Sequence, residues 1–297
     1  MDLFQINQQD DRPIELTVKN YEYNTRKTNP FYVEVNKEMK YYAVCPACKN
    51  PIIIVNLYVD KTLDENKNKM PIHAKHCKYS VTNLAEYSQE AYDECPLGNP
   101  SKFGGSSKHR SKNKRNEIVT LIKYYPVVLY NEIRSITGID FSENTFSSMI
   151  STFIKAEGYY YKYINKYNLP YGFLNMQKSI RIYNNKLYYS PFKSEMINSI
   201  NNSEFFQYKN YKITPKLKDG FYEIELYLAN HKIDSEYESE TIDIIIVEKL
   251  NGKTNEVFNK TVKIDVEKYI NTVDKQRRIN GITEAIKLDD ESFASKV

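Results

Sequence analysis

The sequence predicts an α+β protein in three structured parts: a mixed N-terminal module, a helical middle segment and an antiparallel, β-rich C-terminal domain. Three observations carry this. All four cysteines and two of the four histidines fall between residues 45 and 95. From residue 118 to 154 apolar residues recur every three or four positions, the period of an amphipathic helix. Beyond about residue 176, short alternating or continuous apolar runs lie between turn signals, as in sheets.

The N-terminal module spans residues 1–97. Ile14, Leu16 and Val18 alternate with Glu15 and Thr17, which predicts a half-buried strand. Phe31 to Val35 predicts another after the Asn29-Pro30 break. Both are expected to pair with two further runs, Tyr41–Val44 and Ile52–Leu57, which flank Cys45-Pro46-Ala47-Cys48 and the turn Lys49-Asn50-Pro51. A redox CxxC expects a strand-to-helix setting. Strand, turn and strand instead present both thiolates to one soft cation, and Zn²⁺ needs four such N or S donors in a tetrahedron. His73, His76, Cys77 and Cys95 are the candidates for the other two corners. His73 and Cys77 share a face if Pro71 opens a short helix. The rival pair is His76 and Cys95: Cys95-Pro96 echoes Cys45-Pro46, and Leu84, Tyr87, Ala91, Tyr92 and Cys95 follow helical spacing. The set that ties most of the module to one centre is Cys45, Cys48, His76 and Cys95, holding one structural Zn²⁺. Asp60 to Lys69 is expected to be a solvated loop.

Over roughly residues 41–96 this stretch resembles treble-clef and zinc-ribbon modules, whose first knuckle is also a CPxC turn. The resemblance implies a zinc-stapled module. The second half departs from the usual CxxC or HxxxH pair.

Residues 98–115 predict a flexible basic linker, with Gly98-Asn99-Pro100-Ser101 and Gly104-Gly105-Ser106-Ser107. They hold Lys102, Lys108, His109, Arg110, Lys112, Lys114 and Arg115 and no acid. Lys108, Arg110, Lys112, Lys114 and Arg115 are the candidate phosphate contacts, since such a segment neutralises phosphates without reading sequence. The net charge of +4 over 297 residues permits an anionic partner without demanding one. Clustered cysteines argue for metal in a reducing compartment. No apolar run approaches the ~18 residues of a membrane span, and residues 1–5 lack the pattern of a leader. A cytoplasmic protein without membrane contact is expected.

In the helical segment, residues 116–175, Ile118, Leu121, Ile122 and Tyr125 form one stripe ended by Pro126. Leu129, Ile133 and Ile136 form a second, with Gly138 at its C′ position. Asp140-Phe141-Ser142-Glu143 predicts a capping box for a third, lined by Phe146, Met149, Ile150, Phe153 and Ile154. Asn144, Ser147, Ser148, Ser151 and Lys155 form its polar face, and a core-packing helical hairpin accounts for the pattern better than a DNA reader. In the β-rich domain, residues 176–297, residues 180–189 predict a hairpin turning at Asn184-Asn185. Phe221–Leu228 alternates, Ile242–Val247 suits a central strand, and Asn251-Gly252 marks a hairpin returning through Val257 to Val266. A sandwich or curled sheet is expected, then a short helix near Glu267–Val273 and a polar tail from Asp289. His231 is expected at the surface.

The sequence holds no complete catalytic constellation. The deaminase H-x-E, HExxH, GxSxG and phosphate-binding loops are absent. The leading expectation is a non-catalytic structural-zinc protein that binds nucleic acid, DNA first. The alternatives are a protein-interaction subunit of a multi-component bacterial system and, using a spare His73 or Cys77, a metal-dependent nuclease of HNH type.

Overall fold

The computed structural model describes residues 1–9, 12–58, 71–109, 111–217 and 221–294, with side chains to residue 281. The fold is mixed α+β, with antiparallel sheets. The N-terminal unit opens with β1 (Leu3–Phe4) paired to β2 (Ile14–Glu15). The alternation expected to continue to Val18 stops there. Thr17 accepts a hydrogen bond from the Asn20 amide and caps α1 (Val18–Thr25), a helix the period-two pattern concealed. Tyr21 on α1 is fully buried and donates to the Tyr42 carbonyl at 2.7 Å, fixing the helix on the sheet. That sheet runs β3 (Tyr32–Val35), β4 (Glu38–Val44), β5 (Pro51–Val55) and β6 (His73–His76), each antiparallel to the next.

Pro71 does not open a helix. Residues 73–76 pair with β5, Ile52 opposite His76 and Val55 opposite His73, so alternation rather than helical stacking sets where the two histidines point. The helix expected over residues 84–95 shrinks to α2 (Gln89–Asp93), because Val81 bridges Ala85 and Ser88 caps the helix only afterwards. The Asp60–Lys69 segment lies outside the described residues.

The remainder builds a second, larger core. The helix α3 (Lys112–Tyr124) begins inside the stretch expected to be linker, and α4 (Pro126–Thr137) follows. Gly138 closes α4 at φ 70°, a conformation glycine adopts without strain. The short β7 (Ile139–Asp140) leads to α5 (Glu143–Lys155), capped by Ser142 and not by the Asp140 of the expected box; Asp140 pairs instead with Arg134 at 2.6 Å. Phe146, Met149 and Phe153 of α5 are buried, while Asn144, Ser147, Ser148, Ser151 and Lys155 face solvent. A 3-10 turn at Gly158–Tyr160 leads to α6 (Leu169–Asn175).

The hairpin expected at Asn184-Asn185 does not form. β8 (Ile180–Arg181) joins the large sheet, whereas β9 (Lys186–Leu187) pairs with β7. Then come α7 (Lys193–Asn202), the hairpin β10 (Phe206–Lys209) and β11 (Lys212–Pro215), and the long strands β12 (Glu223–Asp234), β13 (Ser239–Leu250) and β14 (Lys253–Lys263). The large sheet has the order β14-β13-β12-β8, one sheet packed by helices in place of a sandwich. Ile242, Ile244 and Ile246 are fully buried, and Ile245 and Val247 nearly so, as a strand between two neighbours requires. Each contributes about 1.5–3 kcal/mol of burial. Asn251 and Gly252 both take positive φ, the tight turn their sequence predicts. His231 is buried, its Nε2 2.8 Å from Glu240; its Nδ1 accepts the Phe103 amide, so Nε2–H donates to the carboxylate. The short helix expected near Glu267 is α8 (Lys268–Ala294), whose backbone stays helical through Asp289. Among the described residues no helix is long and apolar enough to cross a membrane.

One apolar cluster holds helices α3 to α7 and the large sheet together; a second fills the N-terminal unit. Tyr167 and Ile270 from the C-terminal part insert into that second cluster, and Val266 touches both. At this seam Glu267 has a buried Oε2 with no hydrogen-bond partner. Burial, reinforced by Asp265, Glu15 and Asp2, pushes its carboxyl up to about 8 from its ordinary 4.5. A raised acid binds its proton more tightly when folded, so stability falls as pH rises from about 4.5 to about 8. Glu267→Gln should therefore raise the melting temperature at pH 8.5 and leave it nearly unchanged at pH 4.5, as read by circular dichroism; equal effects at both would contradict the assignment.

Candidate metal centre

Strands β4 and β5 meet at a turn in which the Lys49 amide donates to the Cys45 carbonyl at 3.0 Å and Lys49 takes φ 63°. That turn places Cys45 and Cys48 side by side. A second Cys-Pro turn follows α2: the Asn99 amide donates to the Cys95 carbonyl at 2.9 Å, and Gly98 N–H donates to Cys95 Sγ at 3.3 Å. Asn50 ties the two turns together, its side chain exchanging hydrogen bonds of 2.8 and 2.9 Å with the backbone of Ser88.

Where the first turn has its second cysteine, the second has Gly98. A Cβ there would fall 2.6 Å from the ring of His76, an impossible approach. The glycine thus leaves the fourth corner open for His76, delivered from strand β6. This is the physical reason the pattern lacks a second CxxC.

The ligating atoms of Cys45, Cys48, His76 and Cys95 all lie within 4.8 Å of one another, and among the described residues no other group of His, Cys or acidic side chains converges this way. Cys45 Sγ is 3.8 Å from Cys95 Sγ; His76 Nε2 is 3.3 Å from Cys48 Sγ and 3.6 Å from Cys95 Sγ. A tetrahedron with Zn–S near 2.3 Å and Zn–N near 2.05 Å has edges of about 3.8 Å between sulfurs and about 3.6 Å between sulfur and nitrogen. These three edges already stand close to coordination distances and the whole group lies within 4.8 Å, so the site can hold a metal ion. Cys45 and Cys95 are buried and Cys48 half-buried. Hydrogen bonds from Cys45 and Cys95 hold the Cys48 thiol down to about 4, while burial pushes Cys45 up, so ion binding must expel protons from this group.

His73 and Cys77 stay outside. His73 Nδ1 lies 3.1 Å from the Pro71 carbonyl oxygen and its ring rests on Tyr237, while Cys77 is buried and its thiol, bonded to Tyr79, is pushed up to about 11 by burial.

One participant left no trace in the sequence pattern. Glu238, in the β12–β13 turn, accepts from His76 Nδ1 at 2.8 Å with one oxygen and from the His76 amide at 3.1 Å with the other. Both side chains are almost fully buried. A carboxylate on the far nitrogen fixes the tautomer and aims Nε2 at the ion. Because 162 residues separate the pair, no local signal announces it.

Among the described residues the basic side chains do not form one cluster, although Lys108 and Arg115 share the Tyr160 ring. Lys108 is exposed, 4.0 Å from Glu157 and over the rings of Tyr160 and Tyr161 at 5.6 and 5.7 Å. Arg115, on α3, lies 4.7 Å over the same Tyr160 ring. Lys114 pairs with Glu94 at 3.8 Å, Lys112 is exposed, and Arg110 lies outside the described residues.

No family model, no curated protein and no solved structure matches the chain.

The geometry predicts that Cys45→Ser, Cys48→Ser and Cys95→Ser each abolish stoichiometric metal retention, and that His73→Asn and Cys77→Ser retain it, by plasma emission analysis of purified protein. Glu238→Gln should keep the metal but weaken its hold about 10- to 100-fold in chelator competition.

Proposed function

We propose that the ion is Zn²⁺ in a structural role and that the chain is a non-catalytic nucleic-acid-binding protein. Three thiolates and one imidazole, mostly buried, suit a closed tetrahedral zinc site with no corner left for water or substrate. The zinc then supplies folding energy to a module whose own core is small.

The observation carrying the nucleic-acid reading is the pairing of cations with tyrosine on the face beside this module. Lys108 and Arg115 both stand over Tyr160, and Tyr159 packs against Tyr160 at 4.9 Å. Interleaved cations and aromatic rings are the chemistry of single-strand binding, in which bases stack and phosphates meet lysine and arginine. Glu157 and Glu94 neutralise part of this charge, so few phosphates are engaged and affinity without a base contact is low. The nuclease alternative draws no support from His73 or Cys77, which are buried in other contacts.

Single-stranded oligonucleotide should bind with log affinity falling linearly in log salt, by about 0.7 per phosphate neutralised. Combined Lys108→Ala, Lys112→Ala and Arg115→Ala should flatten that slope by about two to three phosphates' worth in fluorescence anisotropy. A slope identical to wild type would overturn the assignment of this face, and an absence of any salt-dependent binding would overturn the reading itself.

A further inference from the structure

Between the zinc module and the helical part lies a cleft of about 370 Å³. It is at the small end of ligand-binding cavities, roughly 300–1,000 Å³, and large enough for one base with its sugar. Its walls come from both units: Ala47 of the first knuckle, Ala91 of α2 and Pro96 of the second knuckle on one side, Ile118 of α3 and Tyr167 on the other. These give the cleft an apolar, partly aromatic portion within a lining that is otherwise polar.

Two buried polar groups line it. Tyr167 is 2 % exposed, and among the described residues its hydroxyl meets no hydrogen-bond partner. His109 is 9 % exposed and bonds the Ile164 carbonyl oxygen through Nε2 at 2.9 Å. A carbonyl accepts, so Nε2 carries the proton and Nδ1 is left as an acceptor without a partner among the described residues. Burial holds the His109 pKa below its ordinary value, which keeps the ring neutral. Asn99, Ser101 and Asn165 line it as well, so the cleft sets Tyr167 Oη and His109 Nδ1, its buried donor and acceptor, among other polar groups beside an apolar wall.

Its rim carries both signs of charge in equal number among the described residues: Lys114, Lys162 and Lys166 against Asp93, Glu94 and Glu117. They pair with one another, Lys162 with Glu94 at 2.5 Å and Lys166 with Glu117 at 3.1 Å. Such a rim does not select a polyanion. It suits a neutral, planar group with its own donor and acceptor edge. His109 and Lys114, which line the cleft, sit within the same basic stretch as Lys108, Lys112 and Arg115 outside it. The His109 amide donates to the Tyr160 carbonyl at 2.6 Å, so the ring under Lys108 and Arg115 adjoins the cleft wall and a strand held by those cations can reach it.

We propose that this cleft receives one unstacked nucleobase of a single strand, the base lying against Ala47, Ile118 and Tyr167 with its edge on Tyr167 Oη and His109 Nδ1. This rests on the nucleic-acid reading above and adds to it a preference for single over double strands, since a paired base cannot enter.

The test compares a fluorescein-labelled 12-mer single strand with an abasic strand of the same length and backbone charge, against wild type and Ala91→Phe, which fills the cleft without altering a charge. Wild type should bind the base-bearing strand at least about tenfold more tightly, as loss of one stacked and hydrogen-bonded base implies. Ala91→Phe should cut that difference to the share that stacking on the Tyr160 face supplies, while binding the abasic strand as wild type does. Equal salt-dependent binding of both strands by wild type, or an undiminished preference in Ala91→Phe, would overturn the cleft assignment and leave the nucleic-acid reading standing. Binding of neither strand by wild type would overturn both. Bound zinc and melting temperature are checked for the variant; should either drop, Tyr167→Phe, which removes only the hydroxyl, is read by the same comparison and should lose a severalfold share of the preference.

Discussion

A tetrahedron of four donors closes the N-terminal unit, and the rest of the architecture is built outward from it. Cys45 and Cys48 leave one turn, Cys95 another, and His76 a strand edge, so three separate backbone segments converge on one point. Without an ion, three thiols and an imidazole packed within 4.8 Å and largely buried would be an expensive arrangement, with protons and lone pairs competing for the same space. An ion turns that crowding into coordination. The short strands and five-residue helix around it have little apolar surface of their own to offset chain entropy.

The centre also reaches beyond its own unit. Glu238 stands at the tip of the longest hairpin of the C-terminal sheet, yet both its oxygens are spent on His76. A buried carboxylate of this kind is stable only while its partner stays in place, since breaking such a pair leaves an uncompensated charge inside the protein. The hairpin tip and the fourth ligand therefore hold each other. Tyr167 and Ile270 insert into the N-terminal cluster at other points of the same seam. The two units are joined by packing and by charge together, which makes a metal site in one unit a structural matter for both.

The seam is also where the residues of the proposed binding face gather. The basic stretch after the second knuckle is not free chain: Lys108 bridges Tyr161, Phe103 stacks on His231 at 4.2 Å, and Lys112 starts a helix. Fixing that stretch against the tyrosines after α5 sets cations and rings at one surface and opens the cleft beside it. A flexible basic arm would carry the same charge but no such cavity.

By itself, the sequence determined whatever rests on short-range chemistry. The CPxC turn, the Asn251-Gly252 hairpin, the central run Ile242–Val247 and the helix stripes of α3 to α5 each follow from neighbouring residues, and each was legible. So was the choice of His76 and Cys95, through the repeated Cys-Pro. Tertiary structure decided what depends on remote partners. Strand pairing overrode the apparent helix at Pro71, because β5 offered residues 73–76 a ladder of hydrogen bonds. The apparent hairpin at 180–189 was split between two sheets for the same reason. Gly98 showed its purpose only once His76 lay against it, and Glu238 only once the chain had brought a carboxylate back across 162 positions. Local propensity is written along the chain; the energy of a buried pair or a shared wall exists only where distant segments meet.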